Sequence, residues 1–430
     1  MSAGPPPPTS TPVPPRRCRR RPISPGAARP SEQLRVFFAC ALSFLVAAAV
    51  SGAAFAVTGV DWLHWLALHL LFLGGISQLV LGAAQFFVCA FLATDPPPRR
   101  LIGAQLAAWN LGTVLVAIGV PTGVGPLVDA GAGLIALGLI LFAVALRGME
   151  RRSLQRMPWA LRWYRASAAC LGVGGLIGVL MARGTPWSHG YLLGAHLALN
   201  LAGWIGTAII GTLHTFFPSL TQTRLRFPRL QRPTYILWLL GVGELALGAA
   251  FSSRAVLAAG WADLLVAVAL LCANLLASLH AAPPPLSLPA RLLALAQAFL
   301  LAGLALALAA TIQTGVYGPF AGASRAALAV LLLTGWIGLT VTGALLHLLA
   351  ILARIRRFAI SVPLPYPTRD RITAVAAAIA ITTLALSKVS GLTALAMPAT
   401  AVTLAVAASL AVRLFSLALR ALTPHRATGH

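Results

Sequence analysis

Apolar residues run through this chain in long blocks that arginine, proline and glycine interrupt. An apolar stretch of about 18 residues or more is long enough to cross a bilayer as a helix. The blocks predict twelve spans, near residues 36–60, 63–93, 101–121, 126–147, 165–183, 189–217, 234–252, 255–279, 290–312, 322–352, 371–387 and 391–418. The second span in each successive group of four is unusually long, so we expect it to tilt or to protrude from the bilayer.

One phrase recurs inside these long spans. Gly203-Trp204-Ile205-Gly206 is repeated as Gly335-Trp336-Ile337-Gly338, and a weaker copy begins at Gly74. The copies lie 129 and 132 residues apart, which suits a unit of four membrane helices. We predict an all-α transmembrane fold of three pseudo-threefold-related units, about 33–150, 160–281 and 289–420. The glycines of the phrase favour close helix packing over direct chemistry.

Composition sets the class of protein. Of the 430 residues 59% are hydrophobic and 9% are charged, which excludes a soluble globular domain and makes the lipid bilayer the expected partner. The net charge of +24 could indicate a protein that binds nucleic acid. A nucleic-acid surface needs its basic residues on one folded face, whereas these are scattered over short loops, so we expect no nucleic-acid partner.

The basic residues also predict an orientation, because cytoplasmic loops carry an excess of arginine and lysine. With the amino terminus inside, eleven arginines fall in cytoplasmic loops: Arg99, Arg100, Arg151, Arg152, Arg224, Arg226, Arg229, Arg232, Arg356, Arg357 and Arg371. Only Arg183, Arg254, Arg325 and Lys388 fall outside. Both termini are then cytoplasmic: residues 1–32 as a disordered tail rich in proline and arginine, and residues 421–430 as a second tail.

Two histidines are the first candidates for chemistry, because ionisable residues within a membrane are costly and usually functional. His69 and His196 lie near the outer ends of spans 2 and 6, and they differ by two positions when the repeats are aligned. Neutral imidazole is a good ligand for copper or haem iron. The alternative is that each histidine forms a hydrogen bond to a neighbouring helix, with Asn200 a local companion for His196.

Other polar residues form a second group of candidates. His214 and His347 recur near the inner ends of spans 6 and 10, where they could bind a second metal or interact with the helix dipole. Glu244 and Asp263 lie within spans 7 and 8. They could relay protons or ions, or form a helix-to-helix hydrogen bond.

With three four-helix units and histidines on spans 2, 6 and 10, the chain resembles subunit I of the haem-copper oxidases, a superfamily that includes nitric oxide reductases. It also resembles the related NnrS family of membrane proteins. The stretch from His196 through Gly203-Trp204 and His214 to Arg224 is similar to a segment of actinobacterial copper-oxidase-like proteins. The resemblance implies a bacterial-type plasma (inner) membrane, haem or copper as cofactor, and a redox partner or other membrane subunits. It matches His69 to a low-spin haem ligand and His196 to a copper ligand.

The ligand set is reduced relative to that superfamily. Span 7 has no adjacent histidine pair, span 10 has only His347, near its inner end, and Leu197 and Ala198 replace the proline and glutamate that follow the oxidase histidine. We therefore predict a haem- or copper-binding protein in electron transfer, nitric oxide handling or copper handling, and not in oxygen reduction. Were it an enzyme, it would be an oxidoreductase. The rivals are an ion- or proton-coupled transporter and a cofactor-free structural subunit of a membrane complex.

Overall fold

A computed structural model describes residues 30–155, 158–356 and 367–422. These residues form helices and contain no β-strand. Twelve helices are long and apolar enough to cross a membrane, which confirms a polytopic, all-helical membrane architecture. We label them α1 to α12: Pro30–Thr58, Asp61–Phe91, Arg99–Thr122, Gly125–Arg152, Trp159–Ala182, Leu192–Leu220, Pro228–Ala250, Arg254–Ala281, Leu288–Thr314, Gly322–Arg354, Pro367–Ser390 and Ala394–Arg420.

The predicted tails fall mostly on residues that the structure does not describe. Residues 1–29 and 423–430 lie outside it, whereas residues 30–32, which we assigned to the amino-terminal tail, begin α1. At the other end, the last helix continues to Leu422, two residues into the predicted second tail.

Three of the long helices contain an unusual backbone segment. In α2, α6 and α10 the helix changes to π-helical geometry over Leu70–Ile76, Ala198–Gly206 and Ala329–Gly338. Each segment includes the beginning of one copy of the repeated phrase. π-helical turns are rare in proteins, and those that occur often lie at functional sites. The repeat is therefore a repeat of local backbone geometry as well as of sequence.

The glycine that opens each phrase permits close contact with the first helix of its group. A Cβ atom on Gly74 would lie 2.5 Å from Phe44 of α1, and one on Gly203 would lie 2.7 Å from Cys170 of α5. At Gly335 it would lie 2.7 Å from Phe299 of α9. Because these distances are shorter than any van der Waals contact, only glycine fits without a shift. The phrase thus has the packing role that its small residues indicate.

Hydroxyl and indole groups join the long helices to their neighbours. The Ser77 hydroxyl donates to the carbonyl of Phe72, five residues earlier, at 2.7 Å, and accepts from Trp204 Nε1 of α6 at 2.8 Å. The Thr207 hydroxyl likewise donates to the carbonyl five residues earlier, at 3.3 Å, and accepts from Trp238 Nε1 of α7 at 2.9 Å. Since a π-helical turn displaces carbonyls from the usual i to i−4 pairing, these hydroxyls stabilise the change of geometry.

Glycines also bring α3 against α4 and α7 against α8. A Cβ atom on Gly112 would lie 2.8 Å from the carbonyl oxygen of Gly131, and one on Gly241 would lie 2.8 Å from that of Gly260. The helices α11 and α12 are joined differently. There Arg413 Nη1 donates to Asp370 Oδ1 at 2.7 Å, and both side chains are largely buried.

Candidate site at the outer histidines

The structure places His69 and His196 side by side; we call them the outer histidines, and His214 and His347 the inner histidines, after the predicted orientation. His69 is the last residue before the π-helical segment of α2, and His196 lies two residues before that of α6. The centroids of the two imidazole rings are 6.4 Å apart, with 31° between the ring planes. The matching depth predicted from the aligned repeats therefore corresponds to proximity in space.

Each ring is fixed through its Nδ1 atom. His69 Nδ1 lies 2.9 Å from the carbonyl oxygen of Trp65, on whose indole the imidazole stacks at 3.9 Å. His196 Nδ1 lies 2.9 Å from the carbonyl oxygen of Gly174 in α5. A carbonyl can only accept a hydrogen bond, so Nδ1 carries the proton in both rings. The lone pair of each imidazole is then on Nε2, the arrangement common in metal-ligating histidines.

Asn200 supports His196 without occupying that lone pair. Its amide nitrogen lies 3.2 Å from His196 Nδ1 and 2.7 Å from the His196 carbonyl oxygen. Because His196 Nδ1 already donates to Gly174, the amide donates to the carbonyl. The local companion that the sequence offers therefore braces the backbone at His196 and leaves Nε2 available.

The distance between the ring centroids, 6.4 Å, can be compared with the distance that a shared metal ion requires. With metal–nitrogen bonds of about 2.0–2.1 Å, two imidazoles that bind one ion through Nε2 from opposite sides have their centroids roughly 6 Å apart. The pair is not part of a larger donor cluster, because no group of three or more His, Cys, Asp or Glu side chains occurs among the described residues. In α10 the corresponding positions are apolar, Leu328 and Val330. A metal here would have two protein ligands.

The inner histidines have different surroundings. The His214 ring stacks on Trp163 at 5.8 Å, its Nδ1 lies 2.9 Å from the carbonyl oxygen of Ile210, and its buried Nε2 has no hydrogen-bond partner. The His347 ring meets Phe216 edge-on at 5.4 Å. These two candidates thus contact separate aromatic neighbours, whereas the outer pair contact one another.

Gln85, which occupies the His214 position in the first repeat, belongs to a buried amide network that the sequence did not reveal. Its side chain accepts from Gln33 of α1 at 3.0 Å and donates to Gln105 of α3 at 3.2 Å. Three glutamines far apart in sequence carry no spacing signal, which is why only the structure identifies them. Their mutual hydrogen bonds indicate that they hold α1, α2 and α3 together.

Glu244 and Asp263 also form a pair. They extend from the adjacent helices α7 and α8, both are partly exposed on the surface of the bundle, and their carboxyl groups interact. Of the two Glu244 carboxyl oxygens, Oε2 is buried without a hydrogen-bond partner. The acids form a unit of their own, on helices that carry neither outer histidine.

No protein-family model matches this chain, and neither does any curated protein sequence.

Proposed function

We propose that this membrane protein binds one redox metal, a copper ion or the iron of a haem, between His69 and His196, and works in electron transfer, nitric oxide handling or copper handling. The observation that carries the proposal is the ring pair: centroids 6.4 Å apart, with Nδ1 of each ring donating to a carbonyl. Two neutral imidazoles with free Nε2 atoms on separate helices are suitable ligands for either metal.

The residues around His69 and His196 hold the two rings in position and cover part of them. Bound copper or haem iron would provide one-electron redox chemistry. The carbonyls of Trp65 and Gly174 fix the orientation of the rings, and the Trp65 indole covers one face of His69. A fixed second set of contacts of this kind raises the affinity of ligating histidines.

The framework of the proposal is three four-helix units about one axis, as in the oxidases that the sequence resembles. It is supported by the π-helical segments at matching places in α2, α6 and α10. It is also supported by indoles that reach the preceding long helix: Trp204 of α6 bonds Ser77 of α2, and a Cβ atom on Gly206 of α6 would lie 3.0 Å from Trp336 of α10.

The test is metal content and absorption of the purified full chain, expressed with added copper and haem. We expect one metal per chain and at least about 10- to 100-fold weaker binding in His69→Ala and in His196→Ala, since losing only an orienting partner already costs that much. His64→Ala is the matched control, because His64 lies on the same helix against Phe55 at 5.1 Å.

The outcomes separate the possibilities. A Soret band lost in either variant identifies haem, and copper without a Soret band identifies a copper site. Equal metal content in the wild type and both variants places the metal elsewhere. A colourless, metal-free wild type overturns the proposal in favour of a transporter or a structural subunit.

The carboxyl pair supports a second candidate, a proton- or ion-coupled transporter. Buried or half-buried carboxyl groups within a membrane are a usual component of proton pathways, and Glu244 and Asp263 interact at the partly exposed surface of α7 and α8. A protonated carboxyl in hydrocarbon is reactive towards an apolar carbodiimide. We expect labelling at one of the two acids, prevented by the double change Glu244→Gln and Asp263→Asn. Labelling that persists in the double variant excludes this pair.

A further inference from the structure

The helices α5 and α7 flank α6, and aromatic side chains join them at the end of the bundle that we predict to be cytoplasmic. A Cβ atom on Gly203 of α6 would lie 2.7 Å from Cys170 of α5 and 3.2 Å from Val242 of α7, so α6 touches both helices. Near the first turns of α5 and α7, the rings of Trp159 and Tyr235 meet edge-on at 5.8 Å. Tryptophan and tyrosine are enriched where a membrane protein meets lipid headgroups.

Each of the two helices places an arginine next to this aromatic pair. The guanidinium carbon of Arg162 lies 4.9 Å from the centroid of the Trp159 ring, and the face of an indole attracts a cation. Arg232 precedes Tyr235 by three residues on α7, so the two side chains share a face of that helix. Both arginines are exposed. Two positive charges are therefore held at the mouth of the groove between α5 and α7.

Neither arginine has an acidic partner within the part of the chain that the structure describes. The ion pairs found there use other basic residues, and one of them joins Glu150 to Arg165, one turn after Arg162. Between Glu150 and Glu244 the chain contains no acidic residue, and Glu244 lies more than three helical turns beyond Arg232. The charges of Arg162 and Arg232 are thus available to an anion that comes from outside the chain.

The segment that leads into α7 is fixed in place. The side chain of Asn274 in α8, which is 1% exposed, accepts a hydrogen bond from the Phe227 N–H at 2.8 Å and donates one to the Phe227 carbonyl at 3.2 Å. Phe227 itself is exposed, between the exposed Arg226 and Arg229. A basic segment that is already ordered loses little conformational freedom when an anion binds.

We propose that this end of the groove between α5 and α7 binds one anionic phospholipid, with its phosphate between Arg162 and Arg232. Guanidinium groups bind phosphate oxygens through paired hydrogen bonds, and basic pockets between membrane helices bind lipid headgroups. The exposed side chains that follow Arg232 on α7 are apolar, Ile236, Leu240 and Leu247. They suit an acyl chain and offer nothing to a soluble phosphate compound. The site does not require a metal at the histidine pair.

The experiment titrates the purified full chain, in a neutral detergent, with dioleoyl-phosphatidylglycerol or dioleoyl-phosphatidylcholine, and counts bound lipids by native mass spectrometry. We expect the first phosphatidylglycerol to bind at least about tenfold more tightly than phosphatidylcholine, because two arginines contribute to it. Arg162→Gln and Arg232→Gln should each weaken that first binding about fivefold, the order of effect of one arginine on an anionic lipid.

Arg165→Gln is the matched control. It removes the same charge one turn away on α5, from an arginine that already pairs with Glu150, and it should leave the affinity for phosphatidylglycerol unchanged. Circular dichroism and size-exclusion elution select the variants that fold, and Arg162→Lys or Arg232→Lys, which should recover most of the affinity, replaces a glutamine variant that does not.

The outcomes decide between a specific lipid site and its alternatives. A preference for phosphatidylglycerol that both glutamine variants weaken and Arg165→Gln retains supports the site. The absence of a preference, full affinity in either glutamine variant, or equal losses in all three variants overturns it. Glycerol phosphate carries the phosphate without acyl chains, so its displacement of the first phosphatidylglycerol at equal concentration would also overturn the lipid in favour of a soluble ligand. None of these outcomes depends on whether His69 and His196 bind metal.

Discussion

The helix pairs α3–α4 and α7–α8 are packed in one way and α11–α12 in another. Gly112, Gly119 and Gly131 of the first pair are followed 129 residues later by Gly241, Gly248 and Gly260 of the second, at the spacing that separates Gly74 from Gly203. In both pairs the backbones touch, because a Cβ atom on any of these six glycines would lie within 3.0 Å of the facing helix.

The third pair lacks these glycines. Thr373, Ala380 and Leu392 occupy the positions 132 residues after Gly241, Gly248 and Gly260. Arg413 of α12 instead reaches back to Asp370, and also to the Thr373 hydroxyl at 3.4 Å. Close backbone contact gains many small dispersion contacts, whereas a buried ion pair concentrates its stabilisation in two side chains. The same pairing of helices has thus been stabilised by two kinds of interaction.

Breaking the ion pair should have the largest effect. Asp370→Ala leaves the Arg413 guanidinium largely buried without its partner, and we expect the free energy of unfolding in mixed micelles to fall by about 3–5 kcal/mol. The double change Asp370→Leu and Arg413→Met removes both charges and should recover most of that loss, because apolar replacement of a buried pair is often neutral.

The control for this experiment is an exposed pair. Arg99 lies 3.0 Å from Glu32, with exposed side-chain fractions of 65% and 35%, and Arg99→Ala should cost no more than about 1 kcal/mol. Equal losses for Asp370→Ala and Arg99→Ala would mean that the buried pair contributes no special stabilisation to α11 and α12.

Adding one methyl group at the glycine contacts should have an intermediate effect. In Gly241→Ala the new Cβ meets the Gly260 carbonyl oxygen at 2.8 Å, so α7 and α8 must separate, at a cost of about 1–3 kcal/mol. Gly112→Ala should behave alike, since its Cβ meets Gly131 at the same distance. Thermal unfolding of both variants in one detergent provides the measurement.

Nearby glycines provide the control within the same two helix pairs. Gly243 and Gly133 have no atom within 4 Å of an added Cβ. Alanine there should be neutral or stabilising by up to roughly 0.5–1 kcal/mol, because it favours the helix. If Gly243→Ala destabilises as much as Gly241→Ala, the loss comes from a cause other than contact between α7 and α8.

The sequence predicted the spans well because a bilayer demands long apolar helices whatever their packing. It placed the start of α5 at residue 165, but the helix begins earlier. Arg162 and Arg165 interrupt the apolar run, yet Arg162 lies over the Trp159 ring at 4.9 Å and Arg165 pairs with Glu150. Basic side chains with such partners continue a helix at the membrane surface.

The histidine pair was a candidate from sequence because register in an aligned repeat translates into depth. The hydrogen-bond partners of the two rings could not be predicted, because the carbonyls of Trp65 and Gly174 belong to the backbone and leave no residue signature. The π-helical segments are also a property of the backbone and could not be predicted either. The pairing of Asp370 with Arg413 joins residues 43 positions apart, and no local pattern links them.

The smallest expected effect comes from the indole bonds of the two glycine-packed regions. Trp109 and Trp238, also 129 residues apart, are both fully buried. Trp109 Nε1 donates to the Leu73 carbonyl at 3.1 Å, and Trp238 Nε1 donates to the Thr207 hydroxyl at 2.9 Å. Phenylalanine keeps most of the ring but loses the donor, so each Trp→Phe change should cost about 0.6 kcal/mol, the average for hydrogen bonds between membrane helices.

The two variants should lose similar amounts of stability, because each change removes one indole hydrogen bond of similar length to the neighbouring long helix. Trp62→Phe, at a position that is 49% exposed, should leave the unfolding midpoint unchanged. A loss in Trp238→Phe well above that in Trp109→Phe would show that the hydroxyl of Thr207 depends on its indole partner. The helices α1–α4 and α5–α8 would then be alike in their glycine packing but not in their polar contacts.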